Sequence, residues 1–254
     1  MSQSNPAERV ADRRKDHSEP SLGRELFIIV VVALLLSFFV RTFIAQAFFV
    51  PSGSMENTLQ IQDRILVSKF SNHFGGVQRG EIVVFSDPSH WLPDPEPPAG
   101  VAGLLRNALM WIGLLPSDTG KDLVKRVIGI GGDNVKCCSP QGQIVLNGVP
   151  LVEPYLKPPG NTDQVQFNIT VPAGRIFVMG DNRGDSSDSR YHLDEDSGTV
   201  PLGNVVGRVA YVIWPISNWS GEPIPDVFSN PALNNQPAPS AAPSTEAQPN
   251  PSTS

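Results

Sequence analysis

The sequence predicts a mostly β, antiparallel β-sheet domain carried behind one N-terminal transmembrane helix. Three observations predict it: an uncharged apolar stretch near the N-terminus, a succession of short β-branched and aromatic runs beyond residue 48, and turn residues between those runs where an α/β chain would have helices. At 254 residues the chain can bury a sizeable core without disulfide or metal staples. Charged residues are 17%, below the roughly 25% of ordinary soluble domains, and the deficit lies in the apolar stretch and a nearly uncharged C-terminal tail. Nineteen Lys and Arg against 25 Asp and Glu give a net charge of −6, which argues against a nucleic-acid partner. Two cysteines are too few for a disulfide scaffold, and His17, His73, His90 and His192 lack the spacing of a metal site. No metal or other cofactor is expected.

Residues 1–25 are polar and mixed in charge, as a disordered tail is. Residues 26–40 carry no charge and 26–44 only Arg41. At about 1.5 Å per residue the latter stretch spans roughly 28 Å, close to the ~30 Å hydrocarbon core of a bilayer. A buried core helix should show a polar face, and Ile29 to Leu36 shows none. Five basic residues (Arg9, Arg13, Arg14, Lys15 and Arg24) precede the span, and after Arg41 the next is Arg64. The positive-inside rule therefore keeps the N-terminus in the cytoplasm and exports the chain beyond the span. This makes a single-pass protein of the cytoplasmic membrane, in contact with its lipid. Ala45-Gln46-Ala47 has the pattern of a signal-peptide cleavage site, but the polar leader is long and the apolar run exceeds a usual signal core, so an uncleaved anchor is favoured.

The exported part, 45–228, reads as strands at 65–67, 82–85, 144–146, 176–179 and 205–213, bounded by Gly, Pro, Asn or Asp. Asn147-Gly148 between apolar runs predicts a hairpin, because both central residues of a type I′ turn need positive φ. An insert at 89–118 opens with a proline-rich run that continues neither strand nor helix, then turns helical over 100–115. That helix either packs on the domain or lies in the membrane surface with Trp111 at headgroup level. From 229 to 254 the chain is rich in Pro, Ala and Ser, which predicts a disordered tail.

Three segments could carry chemistry. Val50-Pro51-Ser52-Gly53-Ser54-Met55 displays two serines on a turn beside apolar residues. A serine nucleophile needs a base within reach. His192 beside Asp188 is one candidate, though the pair is close in sequence and no nucleophile elbow surrounds Ser54. Lys125 is the other, set among Leu123, Val124, Val127 and Ile128 with Arg126 beside it. Any lone lysine is far more often a solvated strand residue. Burial and a neighbouring cation, however, both lower an amine's pKa, and only the neutral amine accepts a proton. The third segment, 180–190, holds Asp181, Asp185, Asp188, Arg183, Arg190 and three serines. A calcium loop would need an acid where Tyr191 stands, and two arginines would repel the cation, so a buried ion-pair network is expected. Gly129-Ile130-Gly131-Gly132 is no dinucleotide fingerprint, since Asn134 holds the third glycine position. A disulfide between adjacent Cys137 and Cys138 would be strained, so two unpaired or merely structural thiols are expected.

Together the segments resemble the bacterial type I signal peptidase (leader peptidase) family of Ser/Lys serine endopeptidases. The matching blocks are Pro51-Ser52-Gly53-Ser54-Met55 with Thr58-Leu59, then Asp63 to Val67, Arg79 to Phe85, Lys125 to Gly129 with Gly132-Asp133, and Gly180 to Arg183 with Ser186 and Asp188-Ser189-Arg190. The resemblance implies Ser54 as nucleophile and Lys125 as general base. It implies an oxyanion hole from the Ser54 N–H and the Ser52 hydroxyl, and Ser186 holding the lysine amine. Supporting ion pairs are implied for Asp181 with Arg126 and Asp188 with Arg190. Val50, Pro51 and Val124 match positions lining shallow pockets for small residues at −1 and −3 of exported preproteins, which bind extended against a strand edge. Asn57, Gln62 and Gly131 depart from the family's usual Pro, Gly and Pro, and none carries a reacting group. Two other classes compete: a self-cleaving repressor, which needs a helix-turn-helix domain where 1–48 supply an apolar segment, and a non-catalytic tethered binding module. The sequence does not fix an oligomeric state.

Overall fold

A computed structural model describes residues 22–69, 76–89, 91–93, 100, 103–104, 121–160 and 165–235. The leader before residue 22, nearly all of the 100–115 helix with Trp111, and the tail from 236 lie outside the described residues.

Helix α1 (Leu22–Phe43) starts earlier than the expected span, and its Leu22–Val40 stretch is long and apolar enough to cross a membrane. None of that stretch is buried by the rest of the chain. Ile44 donates its N–H to Val40 O at 2.8 Å, and the chain then enters strand β1 (Ala45–Phe49). The Ala45-Gln46-Ala47 pattern is thus part of a strand, paired antiparallel with β2 (Arg64–Ser68).

The larger sheet continues with β3 (Ile82–Ser86), β4 (Asp122–Ile130), β9 (Arg175–Met179), β10 (Val200–Pro201), β11 (Val205–Trp214) and β12 (Ser220–Gly221). Its order is β1-β2-β11-β3-β4-β9-β10, with β12 on β11, and its neighbours pair antiparallel. Strand β3 explains its own sequence. Val83 and Phe85 join one apolar cluster, Ile82 and Val84 another, so both faces are buried and the run is continuously apolar instead of alternating. Each such side chain contributes roughly 1.5–3 kcal/mol by leaving water. The smaller sheet, in the order β7-β6-β5-β8, comprises β5 (Asn134–Cys137), β6 (Ile144–Leu146), β7 (Val149–Pro150) and β8 (Phe167–Thr170). The predicted hairpin joins β6 to β7, with φ of 51° at Asn147 and 83° at Gly148.

Two expectations are corrected. Cys137 and Cys138 are joined by a disulfide; the peptide between them is cis and sets their Cα atoms 3.0 Å apart. The fold also does not stop at 228. Asn230 caps a 3-10 turn at Pro231–Asn234 through Ala232 N, Leu233 is fully buried in the core of the small sheet, and Asn234 accepts from Arg79. A composition rich in Pro, Ala and Asn hid the one large apolar anchor in that stretch.

Candidate active site

The Ser54 turn grows out of the β1–β2 hairpin. At its neck Val50 N donates to Asp63 O and Gln62 N to Val50 O, both at 2.9 Å. Asp63 turns back to accept from Gln60 N at 2.8 Å. Inside this loop Met55 and Leu59 are buried in the cluster that also holds Val50 and Val124, so they bolt the loop to the sheet. Ahead of Leu59 the chain makes a 3-10 turn, Gly53–Met55, leaving Ser52 and Pro51 exposed and Ser54 only 7% exposed. Asn57 and Gln62, two of the sites where this chain departs from the resembled pattern, have φ of 87° and 74°. Asn tolerates that left-handed region, whereas Gln62 does so at a cost glycine would avoid.

Strand β4 brings Lys125 to this turn. Lys125 is 3% exposed, with its Nζ 2.7 Å from Ser54 Oγ and 3.2 Å from Val124 O. Burial lowers the amine's pKa from 10.5 to about 8, against the pull of Asp188 and Asp181, with Arg190 adding to the fall. Roughly one-tenth of the amine is then neutral at pH 7, against under ~0.1% for a solvated lysine. Ser52 Oγ lies 3.4 Å from Ser54 Oγ.

The 180–190 segment packs behind the pair. Gly180 is there for space: a Cβ on it would collide with Ser54 O and Ser186 Oγ. Asp181 takes Arg126 Nε at 2.8 Å and Nη2 at 2.6 Å, plus the Thr58 hydroxyl at 2.5 Å from the nucleophile loop. The Arg126 guanidinium also donates to Gly80 O and sits 4.2 Å from the centre of the Tyr155 ring. Asp188 accepts from Arg190 Nε and Nη2, Gly180 N and Ser186 Oγ at 2.8–3.0 Å. Burial alone would push its carboxyl up, but Arg190 and these donors hold it below the usual carboxylate value. Both ion pairs implied by the resemblance are therefore present. Ser186 differs from expectation: its hydroxyl donates to Asp188, and the Lys125 amine bonds to Ser54 and Val124 instead. The hydroxyl's one proton is thus committed to the carboxylate two residues away. Three groups escaped sequence reasoning. The Asn182 side chain donates to Gly53 O, the buried Arg183 pairs with Glu153, and Lys157 pairs with Glu56. Partners 30 or 129 positions apart leave no local signal.

The histidine alternative does not assemble. His192 stacks on Trp91 with ring centroids 4.4 Å apart, and its Nε2 lies 3.1 Å from Ser187 Oγ, while Asp188 is taken up by Arg190.

Strand β4 runs past the pair. Residues 122–126 of β4 pair with β3 on one side, but β9 is registered only against 126–130 on the other. Lys121 O accepts from Asp87 N, while Val127 accepts from Gly80 N and donates to Glu81 O, all on the β3 side. By alternation the N–H and C=O groups of Val124 point away from β3. Val50 and Val124 are buried in one apolar cluster, and Pro51 is exposed.

Fold and site together define a mostly antiparallel β protein with one long apolar N-terminal helix and a buried serine–lysine pair. Residues 23–214 match the family model described as signal peptidase, peptidase S26, and the chain belongs to that family of peptidases. It is 39% identical over 219 residues to a signal peptidase I of Mycobacterium tuberculosis (strain ATCC 25618 / H37Rv), covering 77% of this chain and 74% of the relative. A signal peptidase I of Leptolyngbya laminosa is 34% identical over 215 residues, covering 85% and 90% of the two chains. A crystal structure of a signal peptidase I from Enterococcus faecalis V583 covers 52% of this chain and 96% of its own at 28% identity, with a TM-score of 0.34. Membership rests on the sequence matches.

Proposed function

We propose that the protein is a membrane-anchored serine endopeptidase that removes signal peptides from exported preproteins, with Ser54 as nucleophile and Lys125 as general base. One observation carries this reading: a buried amine with a lowered pKa, 2.7 Å from a serine hydroxyl on a turn. Ser54 Oγ attacks the scissile carbonyl carbon and its proton passes to Lys125 Nζ. The oxyanion is held by the Ser54 N–H and the Ser52 hydroxyl. As the tetrahedral intermediate collapses, Lys125 gives the proton to the departing amine, the new N-terminus of the mature protein. The neutral amine then takes a proton from water, which attacks the Ser54 ester and frees the signal peptide.

Asp181 with Arg126 and Asp188 with Arg190 hold the surrounding segments in place, and Asp188 also takes the Ser186 hydroxyl and the Gly180 N–H. The preprotein lies extended beside Val124 of β4, adding main-chain hydrogen bonds to the strand. Val50, Pro51 and Val124 line its pockets and admit small side chains at −1 and −3. α1 anchors the domain in the lipid of the cytoplasmic membrane, N-terminus inside, with the site on the outer face where signal peptides emerge. The test is cleavage of a preprotein in detergent: Ser54→Ala and Lys125→Ala each abolish it while circular dichroism stays native. Full activity in either variant overturns the assignment.

A further inference from the structure

We infer that Asn182 is a positioning residue for the oxyanion hole, its side-chain amide holding the Gly53–Ser54 peptide plane so that the Ser54 N–H faces the scissile carbonyl oxygen. The inference rests on the reading of Ser54 as nucleophile.

Two peptide planes flank the Ser54 Cα, and Asn182 holds both. Its backbone N–H donates to Ser54 O at 3.0 Å, a bond any residue except proline could make. Its side-chain Nδ2 donates to Gly53 O at 3.0 Å, and that bond needs an amide. Nδ2 also lies 3.4 Å from Glu56 Oε2. With acceptors on both contacts, the nitrogen rather than the oxygen of the amide must face the turn. Gly53 O belongs to the same peptide unit as Ser54 N, and in a trans peptide the C=O and N–H point in opposite directions. Fixing the carbonyl on the Asn182 side therefore aims the Ser54 N–H away from it. That N–H has no hydrogen-bond partner among the described residues, as a donor kept for a ligand should not.

The bond also acts electronically. Gly53 O accepts from both Asn182 Nδ2 and Glu56 N, the latter at 3.0 Å, and donors on a peptide oxygen make the N–H of the same unit a stronger donor. Asn182 is buried, so the amide is not free to reorient. Gly180, whose hydrogen atom leaves room for Ser54 O, lets the segment approach closely enough for the clamp to close.

The test uses the full chain in detergent with an Ala-x-Ala reporter peptide and a peptide boronic acid, which forms a tetrahedral adduct on a serine oxygen. Asn182→Ala and the isosteric Asn182→Asp are compared with wild type and with Ser54→Ala. The expected result is a roughly 10- to 100-fold fall in kcat for both Asn182 variants, with KM within about twofold. Boronate affinity falls by a similar factor, and the acid limb of the pH–rate profile does not move in Asn182→Ala. A side chain that merely supported the fold would not separate kcat from KM or single out the tetrahedral adduct. Wild-type kcat in both variants, an unchanged boronate affinity, or unfolding of both variants overturns the inference. An inert Ser54→Ala beside fully active Asn182 variants removes only this inference, whereas an active Ser54→Ala removes the nucleophile assignment on which it stands.

Discussion

With its amine out of water and Ser54 Oγ 2.7 Å away, Lys125 loses its proton near pH 8 instead of 10.5, and that shift has a consequence for stability. Between those two values the unfolded chain holds a proton that the folded chain does not. Stability therefore rises with pH through that window, and below pH 8 the fold bears the whole burden of the buried lysine. Lys125→Met is accordingly expected to stabilise the protein by about 1–3 kcal/mol at pH 7 and to flatten the rise towards pH 10.5, as read by denaturant unfolding. A variant less stable than wild type at pH 7 contradicts this. The turn residues around Ser54 and the apolar flanks of Lys125 were legible because they are local. Their meeting was not, since 71 positions separate them and the register of β1, β2, β3 and β4 decides the distance. Ser186 shows the same limit: its place in the segment is legible, but its hydroxyl turns to Asp188.

At the scale of elements, the 180–190 segment is held by buried charge. Arg190 is 1% exposed and its Nη1 has no partner among the described residues, so removing its carboxylate leaves a cation stranded in the interior. Asp188→Ala is expected to cost about 3–5 kcal/mol, measured by thermal or denaturant unfolding, and to lower activity with it. A loss below about 1 kcal/mol contradicts that account. Because the Asp188 carboxyl sits below its usual 3.8 in the fold, its contribution is fully present above pH 3.8 and is lost only as pH falls further. Strand β3 was readable as an apolar run and the β6–β7 hairpin from Asn147-Gly148, since period and turn chemistry are written locally. Asn182 and the Glu153–Arg183 pair were not, because buried polar groups are satisfied by partners distant in the chain.

At the scale of the molecule, helix α1, the two sheets and the 230–235 strap divide the work. The strap joins Asn234 to Arg79, whose guanidinium also pairs with Asp133, and buries Leu233. Truncation after Ser229 is expected to cost at least about 2 kcal/mol through the lost Leu233 alone, while truncation after Asn235 leaves unfolding and cleavage unchanged. Equal stability of the two truncations contradicts this. Composition placed the boundary too early because one buried leucine outweighs many small residues around it. The central claim is that an uncharged Lys125 amine takes the Ser54 proton. It is tested most directly by the pH dependence of kcat/KM for reporter cleavage in wild type and Lys125→Arg. An acid limb with an apparent pKa near 8 in wild type, and no cleavage at any pH by the permanently charged variant, is the predicted result. A wild-type rate that stays flat from pH 6 to 10, or an active Lys125→Arg, would contradict it.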